Sequence, residues 1–283
     1  MKILLLASGY LGAYQLIQEF HKKGIEVIGT DINPNSAARF YCDKFYVVSS
    51  GNIENQYYLG EIEKIVKKER PDVILPGSSS EVYHLAVFKE HIEKFGTKIM
   101  VGSAEVVRTA LDKGLTYETL QGIIPLPKSF YSEKGLIIKP SQGKGARNIW
   151  EMDRHFVMEK LTGEEIDVDV LSLNGEVLTA CFKKRERTYG GTLIEGEIVE
   201  RPYLMPQIEK IVKTIPIDYL SVIQFIGDKL LEINPRIAGA IMDYEIPYMA
   251  IQLALGKIEP NGIKTYKTNI GKRVAKYLAE YAY

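Results

Sequence analysis

Short apolar runs alternate with amphipathic stretches at the start of the chain. Lys2–Ala7 is almost continuously apolar, which predicts a strand buried on both faces. The spacing of Leu16, Ile17 and Phe20 predicts a helix with one apolar side. Ile25–Thr30 predicts a second strand. Together these segments form a βαβ unit, whose two strands lie parallel.

The alternation continues to about the hundredth residue. Asn52–Glu69 has the spacing of a helix, and Asp72–Leu75 that of a strand. A further helix follows Glu81, and Lys98–Val101 predicts another strand. We therefore expect an α/β domain built on a doubly wound parallel sheet. Such sheets bind ligands at the carboxyl ends of their strands.

The pattern changes in the second half of the chain. Glu165–Leu173 alternates acidic and apolar residues and predicts a strand. Asn174-Gly175 is a strong two-residue hairpin turn, and Glu176–Phe182 predicts the returning strand. A helix is expected near Met205–Ile215. Neighbouring strands joined by a hairpin are antiparallel, so this half is expected to be α+β.

A second hairpin carries the strongest candidate chemistry. Its strands are Ser221–Ile226 and Leu230–Ile233. Side chains two apart on a strand share a face, so Glu232 and Asn234 point the same way. Gln224 joins them only if it lies opposite Glu232, which requires a three-residue loop or a bulge; a two-residue loop alone reverses its face. With the first register, three oxygen-bearing side chains meet, a donor set that suits Mg²⁺.

The charge balance, the apolar run lengths and the cysteine count limit the classes of protein to which the chain can belong. Lys and Arg together number 36, as do Asp and Glu, so the net charge is zero and nucleic-acid binding has no bulk electrostatic support. No apolar run reaches the length of a membrane span. The two cysteines, Cys42 and Cys181, lie far apart, which is typical of a reducing compartment. A cytoplasmic protein is expected.

The turn after the first strand allows a second interpretation. Ala7–Gly12 is a near match to the dinucleotide-binding fingerprint, with Ala at the first glycine position. Asp31 lies at about the distance where such folds place a ribose-binding acid. A dinucleotide-dependent oxidoreductase is therefore an alternative. The same turn also fits a close packing of helix on sheet.

Several segments resemble the ATP-grasp superfamily, and in particular the branch around the large chain of carbamoyl-phosphate synthase. The resemblance is strongest where Gln224 is followed by Glu-Ile-Asn-Pro-Arg at 232–236. It implies that Gln224, Glu232 and Asn234 bind metal and that Arg236 is catalytic. Without the resemblance, the same residues are compatible with an ordinary hairpin that buries one paired glutamate.

The resemblance also implies a nucleotide site in the middle of the chain. Lys113 and Lys139 are expected to contact the nucleotide, Lys139 also as a catalytic group, and Gly143 and Gly145 belong to a phosphate-covering flap within Ser141–Arg147. Glycines let backbone amides curl over an anion, although an isolated stretch of this kind is more often a surface loop. In the family's hinge, Glu159, Lys160 and Leu161 lie along the adenine and Glu165 binds the ribose.

Candidate substrate residues occur in both halves of the chain. The resemblance implies that the first domain helps to bind the non-nucleotide substrate, which implicates Gly9, Ser79 and Glu81. Hydroxyl residues at a helix start suit an anion, although Ser80 could equally serve only as the helix cap. In the basic run Lys183–Arg187, Arg185 or Arg187 is expected to meet a substrate carboxylate or the transferred phosphoryl group.

The resulting hypothesis has three domains: a pre-ATP-grasp domain over 1–103, a small lobe with the flap over 104–160, and a catalytic lobe over 161–283. The resemblance implies ATP-dependent ligation of a small-molecule carboxylate to an amine, with two Mg²⁺ ions, for which Mn²⁺ is an alternative. It is compatible with a homodimer and requires neither nucleic acid nor membrane. Phosphorylation without ligation, and nucleotide binding without turnover, remain alternatives.

Overall fold

The structure is a computed structural model. It describes residues 1–52, 55, 57–132, 136–138, 150–152, 155–189, 192–237 and 239–276. Within these ranges, every helix is too short or too polar to cross a membrane.

The N-terminal part is a parallel five-stranded sheet with the strand order β3-β2-β1-β4-β5. Helices connect its strands, as the alternating pattern predicted. The strands are β1 (Lys2–Leu5), β2 (Glu26–Asp31), β3 (Lys44–Val47), β4 (Val73–Leu75) and β5 (Lys98–Ile99), and the helices are α1 (Ala13–Lys22), α2 (Tyr58–Glu69), α3 (Ser79–Glu93) and α4 (Ala104–Leu111).

Strand β1 is buried on both faces, because its side chains serve two separate cores. Ile3 and Leu5 pack with Phe20 of α1 on one face. Leu4 and Leu6 pack with α2 and α3 on the other. A strand covered by helices on both sides needs apolar residues at every position, which explains the continuous run.

The middle of the chain holds a helix and two small strand pairs. Helix α5 spans Lys113–Leu120, β6 (Ser129–Ser132) pairs with β9 (His155–Met158), and β7 (Leu136–Ile138) pairs with β8 (Trp150–Met152). The stretch Asp112–Tyr117 starts a helix rather than ending one. Asp112 is the N-cap of α5: its Oδ1 accepts the amide hydrogen of Leu115 at 3.0 Å, as a side chain at a helix start does.

The C-terminal part is an antiparallel six-stranded sheet with the order β14-β13-β10-β11-β12-β15. Its strands are β10 (Glu165–Leu173), β11 (Glu176–Tyr189), β12 (Thr192–Ile198), β13 (Tyr219–Ile226), β14 (Lys229–Asn234) and β15 (Arg273–Ala275), accompanied by α6 (Met205–Thr214), α7 (Glu245–Ala254) and α8 (Pro260–Lys264). Asn174 and Gly175 have φ of 52° and 79° in the β10–β11 turn, as the expected turn requires.

Some boundaries differ from the prediction for local reasons. Helix α2 begins at Tyr58 rather than Asn52. The backbone amide of Tyr57 donates to the side-chain oxygen of Asn55, and such local side-chain hydrogen bonds compete with helix formation. The basic run Lys183–Arg187 lies inside β11 rather than after it, because β12 and β10 supply pairing partners on its two sides.

The two sheets share one apolar core. Ile3 and Leu5 of the parallel sheet belong to the same buried cluster as Leu171 of β10 and Ile246 of α7. Helix α6 covers another part of the antiparallel sheet in a separate cluster with Phe225. The shared cluster places the carboxyl ends of the parallel strands beside the β13–β14 hairpin.

That hairpin combines a tight turn with a bulge. Gly227 and Asp228 form a two-residue loop, in which Gly227 has a φ of +63°. Phe225 lies opposite Leu230, yet Gln224 lies opposite Glu232, so Leu231 is an extra residue on β14. The hydroxyl of Tyr117 on α5 donates to the carbonyls of Leu230 and Leu231, at 2.8 and 3.1 Å. The pairing of Gln224 with Glu232, which the sequence left conditional, is confirmed.

We expect Tyr117→Phe to destabilise the protein by about 1–2 kcal/mol, because it leaves carbonyls of the bulge without their donor. Tyr117 is only 4% exposed, so water does not replace the hydroxyl. Urea unfolding measures the change. Tyr203→Phe, at a position that is 52% exposed, is the matched control. Equal stability of the two variants would show that the hydroxyl does not support the bulge.

Candidate active site

Three polar side chains are placed side by side by the register of the antiparallel sheet. Gln224 on β13 lies opposite Glu232 on β14 and opposite Asp167 on β10. Directly opposite residues share a face of the sheet. Asn234 follows Glu232 by two positions and lies on the same face. The three predicted metal ligands therefore share one face, with an aspartate that the sequence interpretation did not select.

Glu232 is held by two neighbours. Its Oε2 lies 2.8 Å from the ammonium nitrogen of Lys113, and its Oε1 accepts from Nδ2 of Asn234 at 3.0 Å. Burial opposes ionisation, but the Lys113 and Asn234 contacts and the nearby Arg236 hold the pKa of Glu232 below its ordinary value. Glu232 is therefore a carboxylate at neutral pH, in contact with a cation.

Ser79 joins the two halves of the molecule at this point. It is the first residue of α3, at the carboxyl edge of the parallel sheet. Its hydroxyl donates to Oδ1 of Asn234 at 3.2 Å and accepts from Nε of Arg236 at 2.8 Å. Arg236 also donates to the carbonyl of Ile237 at 2.9 Å. The predicted substrate residue Ser79 is thus brought together with a predicted metal ligand and the predicted catalytic arginine.

Glu81, which the resemblance implicates in substrate binding, accepts hydrogen bonds from its own domain. It accepts from the backbone amides of Gly77 and Ser78, at 2.9 and 3.0 Å, and from the hydroxyl of Tyr58 at 2.8 Å. The cap of α3 is Ser78 rather than Ser80, in a capping box with Glu81. Burial raises the pKa of Glu81 to about 7, despite these donors.

Gly9 lies in a tightly packed turn. Its amide donates to Oδ2 of Asp31 at 2.8 Å, and a Cβ at Gly9 would lie 2.4 Å from that oxygen. The other oxygen of Asp31 accepts the amide of Asn33 at 2.9 Å. The carboxylate that resembled a ribose ligand is therefore engaged by its own domain. This geometry favours the close-packing interpretation of the turn.

Buried ion pairs occupy the same face of the sheet. Lys183 is fully buried, pairs with Asp169, and donates to the carbonyl of Ala240 at 3.0 Å. Burial raises the pKa of Asp169 to about 6, and Lys183 opposes that rise. Neither residue was selected from the sequence. The available signal was two aspartates inside an otherwise apolar strand, since buried carboxylates require partners.

The two candidate arginines are in different surroundings. Arg185 is nearly buried and lies 3.1 Å from oxygens of both Glu165 and Asp167. Arg187 is exposed and pairs with Glu195 at 2.5 Å. Register shifts on either side of Arg187 break the simple alternation of β11. The structure therefore brings Arg185, but not Arg187, into the polar group around Asp167.

The predicted nucleotide residues lie along the edge between the middle segment and the hairpin. Glu159 pairs with Lys229 of β14, accepts the amide of Lys128 at 3.1 Å, and donates its own amide to the carbonyl of Lys128 at 2.8 Å. Lys160 is exposed and Leu161 is partly exposed. Lys139, Gly143 and Gly145 lie outside the described residues.

The donor chemistry of the hairpin fits a hard cation. Glu232 supplies carboxylate oxygens, and Gln224 and Asn234 supply amide oxygens, which are ligands that Mg²⁺ accepts. In the described part of the chain, no three His, Cys, Asp or Glu side chains cluster in a way that could hold a metal ion. A metal site at the hairpin therefore needs the amide oxygens of Gln224 and Asn234 in addition to the Glu232 carboxylate. The contact of the Lys113 ammonium with Glu232 shows that this carboxylate attracts a cation.

We expect Glu81→Gln to flatten the pH dependence of stability. Glu81 loses its proton near pH 4.5 when unfolded and near pH 7 when folded. Between these values the folded state binds more protons, so the free energy of unfolding falls as the pH rises. The wild type should lose about 3 kcal/mol more than Glu81→Gln over this range. Urea unfolding at both pH values tests this, with exposed Glu90→Gln as control; parallel behaviour of wild type and Glu81→Gln would contradict it.

Both parts of the chain match models of known protein families. Residues 151–276 match the family described as "ATP-grasp in the biosynthetic pathway with Ter operon". Residues 3–100 match the family described as "PylC-like, N-terminal domain". The first match covers the β13–β14 hairpin, and the second covers the parallel sheet.

Individual relatives agree with these families. The chain is 27% identical to tyramine–L-glutamate ligase from Methanocaldococcus fervens, over 64% of each chain. It is 23% identical to the large chain of carbamoyl phosphate synthase from Methanosarcina mazei, over 90% of this chain and 30% of that relative. The chain thus spans less than two thirds of the length of either relative.

The fold also matches solved structures. Biotin carboxylase from Campylobacter jejuni, in a β-γ-ATP complex, superimposes with a TM-score of 0.66 at 15% identity, over 93% of this chain and 72% of that one. The expected fold and the resemblance are therefore confirmed: residues 3–100 match a PylC-like N-terminal domain and residues 151–276 match an ATP-grasp domain.

Proposed function

We propose that this protein is an ATP- and Mg²⁺-dependent ligase that joins a small-molecule carboxylate to an amine through an acyl phosphate. The observation that carries the proposal is the bulged hairpin, which puts Gln224, Glu232 and Asn234 on one face. Lys113 and Arg236 lie beside them. One relative is named a tyramine–L-glutamate ligase and another the large chain of carbamoyl phosphate synthase, which supports this reaction class.

The metal site is assigned to Glu232, Asn234 and Gln224. Two Mg²⁺ ions would neutralise the charge of the nucleotide phosphates at this face. In the structure, Nζ of Lys113 lies 2.8 Å from Oε2 of Glu232. Binding of the metal nucleotide would release this ammonium for a phosphate oxygen, so that one cation replaces another on the carboxylate. Glu159, Lys160, Leu161 and Glu165 are proposed for the adenosine, and Lys139, Gly143 and Gly145 for the phosphates.

The proposed reaction has two balanced steps. An oxygen of the substrate carboxylate bonds to the γ-phosphorus, the bond to the β,γ-bridging oxygen breaks, and ADP leaves. The amine nitrogen then bonds to the acyl carbon, inorganic phosphate leaves with its electron pair, and the nitrogen loses a proton. The chain supplies positive charge around the moving phosphoryl group from Arg236 and Arg185, while Ser79 and Asp167 hold these guanidinium groups in place.

We expect Glu232→Gln to abolish most Mg²⁺-dependent turnover while the fold survives. The variant keeps the length of the side chain but removes the one full negative charge of the ligand set. A loss of about 10²–10⁴-fold, roughly 3–5 kcal/mol of transition-state stabilisation, is the expected magnitude. ADP formation is measured on a library of carboxylates paired with amines, beside a thermal melt.

Glu209→Gln on the exposed surface of α6 is the matched control. It should leave both ADP formation and the melting temperature unchanged. Near-normal turnover in a well-folded Glu232→Gln variant would remove the hairpin from the metal site. An intact per-molecule rate with a lowered melting temperature would instead assign Glu232 a purely structural role.

We expect no saturable binding of NAD or NADH, because both oxygens of Asp31 already accept backbone amides. Isothermal titration with NAD, NADH and Mg·ATP in parallel measures this. Only Mg·ATP should give a saturating signal. Saturable NAD binding that Gly9→Val abolishes would restore the oxidoreductase alternative.

A further inference from the structure

A cavity of about 600 Å³ lies between the turn after β1 and the segment that forms β15. Its volume is in the range of small-molecule sites. Aromatic rings and cations dominate its lining, which includes Tyr10, Tyr14, Tyr41, Tyr244, Lys272 and Lys276. No Asp or Glu is among the described residues that line it. The cavity therefore offers flat apolar surface together with positive charge.

Two of its three cations are already engaged. Arg273 pairs with Glu197 at 3.0 Å and with Glu186. Lys272 donates to the carbonyl of Met242 at 2.7 Å and lies over the ring of Tyr244. These two side chains have protein partners and do not by themselves call for a ligand.

Lys276 differs from both. Its ammonium donates to the carbonyl of Gly239 at 3.0 Å, and no carboxylate in the described part of the chain pairs with it. Burial and the charge of Lys183 lower the pKa of Lys276 to about 8, and Asp169 only partly offsets them. A half-buried cation without a counter-ion is stabilised by an anion that enters the cavity.

Tyr10 provides an independent observation. Its hydroxyl is buried and has no hydrogen-bond partner among the described residues. Its ring packs against Gly77, where a Cβ would lie 3.1 Å from a ring carbon. A buried phenol without a partner is costly and usually finds one. Burial raises the pKa of this hydroxyl, and the positive charge of Arg236 opposes the rise, so a residue that lines the cavity also lies in the surroundings of the proposed catalytic arginine.

The start of α1 adds positive potential to the same cavity. Tyr14 and Gln15, in its first turn, are lining residues. Gly12 is the N-cap and offers no side chain to cap the helix. The dipole at a helix start favours an anion. The start of α1, the ammonium of Lys276 and the hydroxyl of Tyr10 all favour an anionic ligand in the cavity.

We propose that this cavity binds the carboxylate substrate of the ligase, and that this substrate has an aromatic or similarly flat apolar body. Lys276 pairs with the carboxylate, Tyr10 donates a hydrogen bond, and Tyr14, Tyr41 and Tyr244 cover the body. The assignment rests on the proposed function. It excludes the amine substrate from this cavity, because an ammonium would be repelled by Lys276.

The test compares ligands that differ only in their charged group. Phenylacetate and 3-phenylpropionate are titrated into the full chain without nucleotide, beside their amine counterparts benzylamine and 2-phenylethylamine and beside acetate. At least one aryl carboxylate should bind, and each should bind more tightly than the amine of equal ring and similar length. Acetate, which lacks the ring, should bind weakly. Equal or tighter binding of the amines, or no binding of any aryl carboxylate, would overturn the proposal.

Two variants locate the binding. Lys276→Met should weaken the aryl carboxylate by about 10- to 100-fold, whereas Lys257→Met, at an exposed lysine, should not. Tyr10→Phe should weaken it by about three- to tenfold without lowering the melting temperature, since it removes a hydroxyl that has no partner in the protein. Unchanged affinity in both Lys276→Met and Tyr10→Phe would place the ligand elsewhere.

Failure of this assignment is distinguishable from failure of the ligase proposal. ADP release that depends on a carboxylate, with a KM unaffected by Lys276→Met, would keep the ligase and overturn the cavity. Conversely, carboxylate binding that both variants weaken, without ADP release from any substrate pair, would keep the cavity as a carboxylate site and remove the ligase.

Discussion

The candidate site depends on one extra residue in a hairpin. Strand side chains alternate between faces, and the two-residue loop at Gly227-Asp228 would by itself send Gln224 to the face opposite Glu232. Leu231 corrects this, because it is accommodated as a bulge. Tyr117 donates to the carbonyls around it, and Lys113, four residues earlier on the same helix, contacts Glu232. One short helix therefore supports both the irregular backbone and the charge of the site.

The segment after the hairpin is held from the opposite side by lysines rather than by regular structure. Lys276 donates to the carbonyl of Gly239, Lys183 to that of Ala240, and Lys272 to that of Met242. Three side chains, one from β11 and two that flank β15, thus bind backbone oxygens of one short stretch. Gly12 closes the arrangement, since a Cβ there would lie 2.4 Å from the Gly239 oxygen. The result is a segment with little freedom, directly behind Arg236.

Hydrophobic patterning predicted most of the elements, because burial on one or both faces leaves a direct periodic trace. It did so for β1, α1 and β10. The register of the β13–β14 hairpin was harder to predict. The sequence showed only that Gln224 lies opposite Glu232 if the hairpin has a three-residue loop or a bulge. The bulge is supported by Tyr117, which is distant in sequence. The side-chain contacts between the two parts of the chain could not be predicted from the sequence pattern. Ser79 and Asn234 are 155 residues apart, and neither residue type alone predicts the other.

The double hydrogen bond of Ser79 has a consequence for how the two domains communicate. One hydroxyl donates to Asn234 and accepts from Arg236, so a tilt of α3 moves the proposed metal ligand and the proposed catalytic arginine together. Under the proposed function, a ligand that settles against the parallel sheet and a cation on the hairpin would therefore change each other's affinity, and thermodynamic linkage would make the two effects equal in size. Such cooperativity between the two halves of the chain would pass through a single serine oxygen.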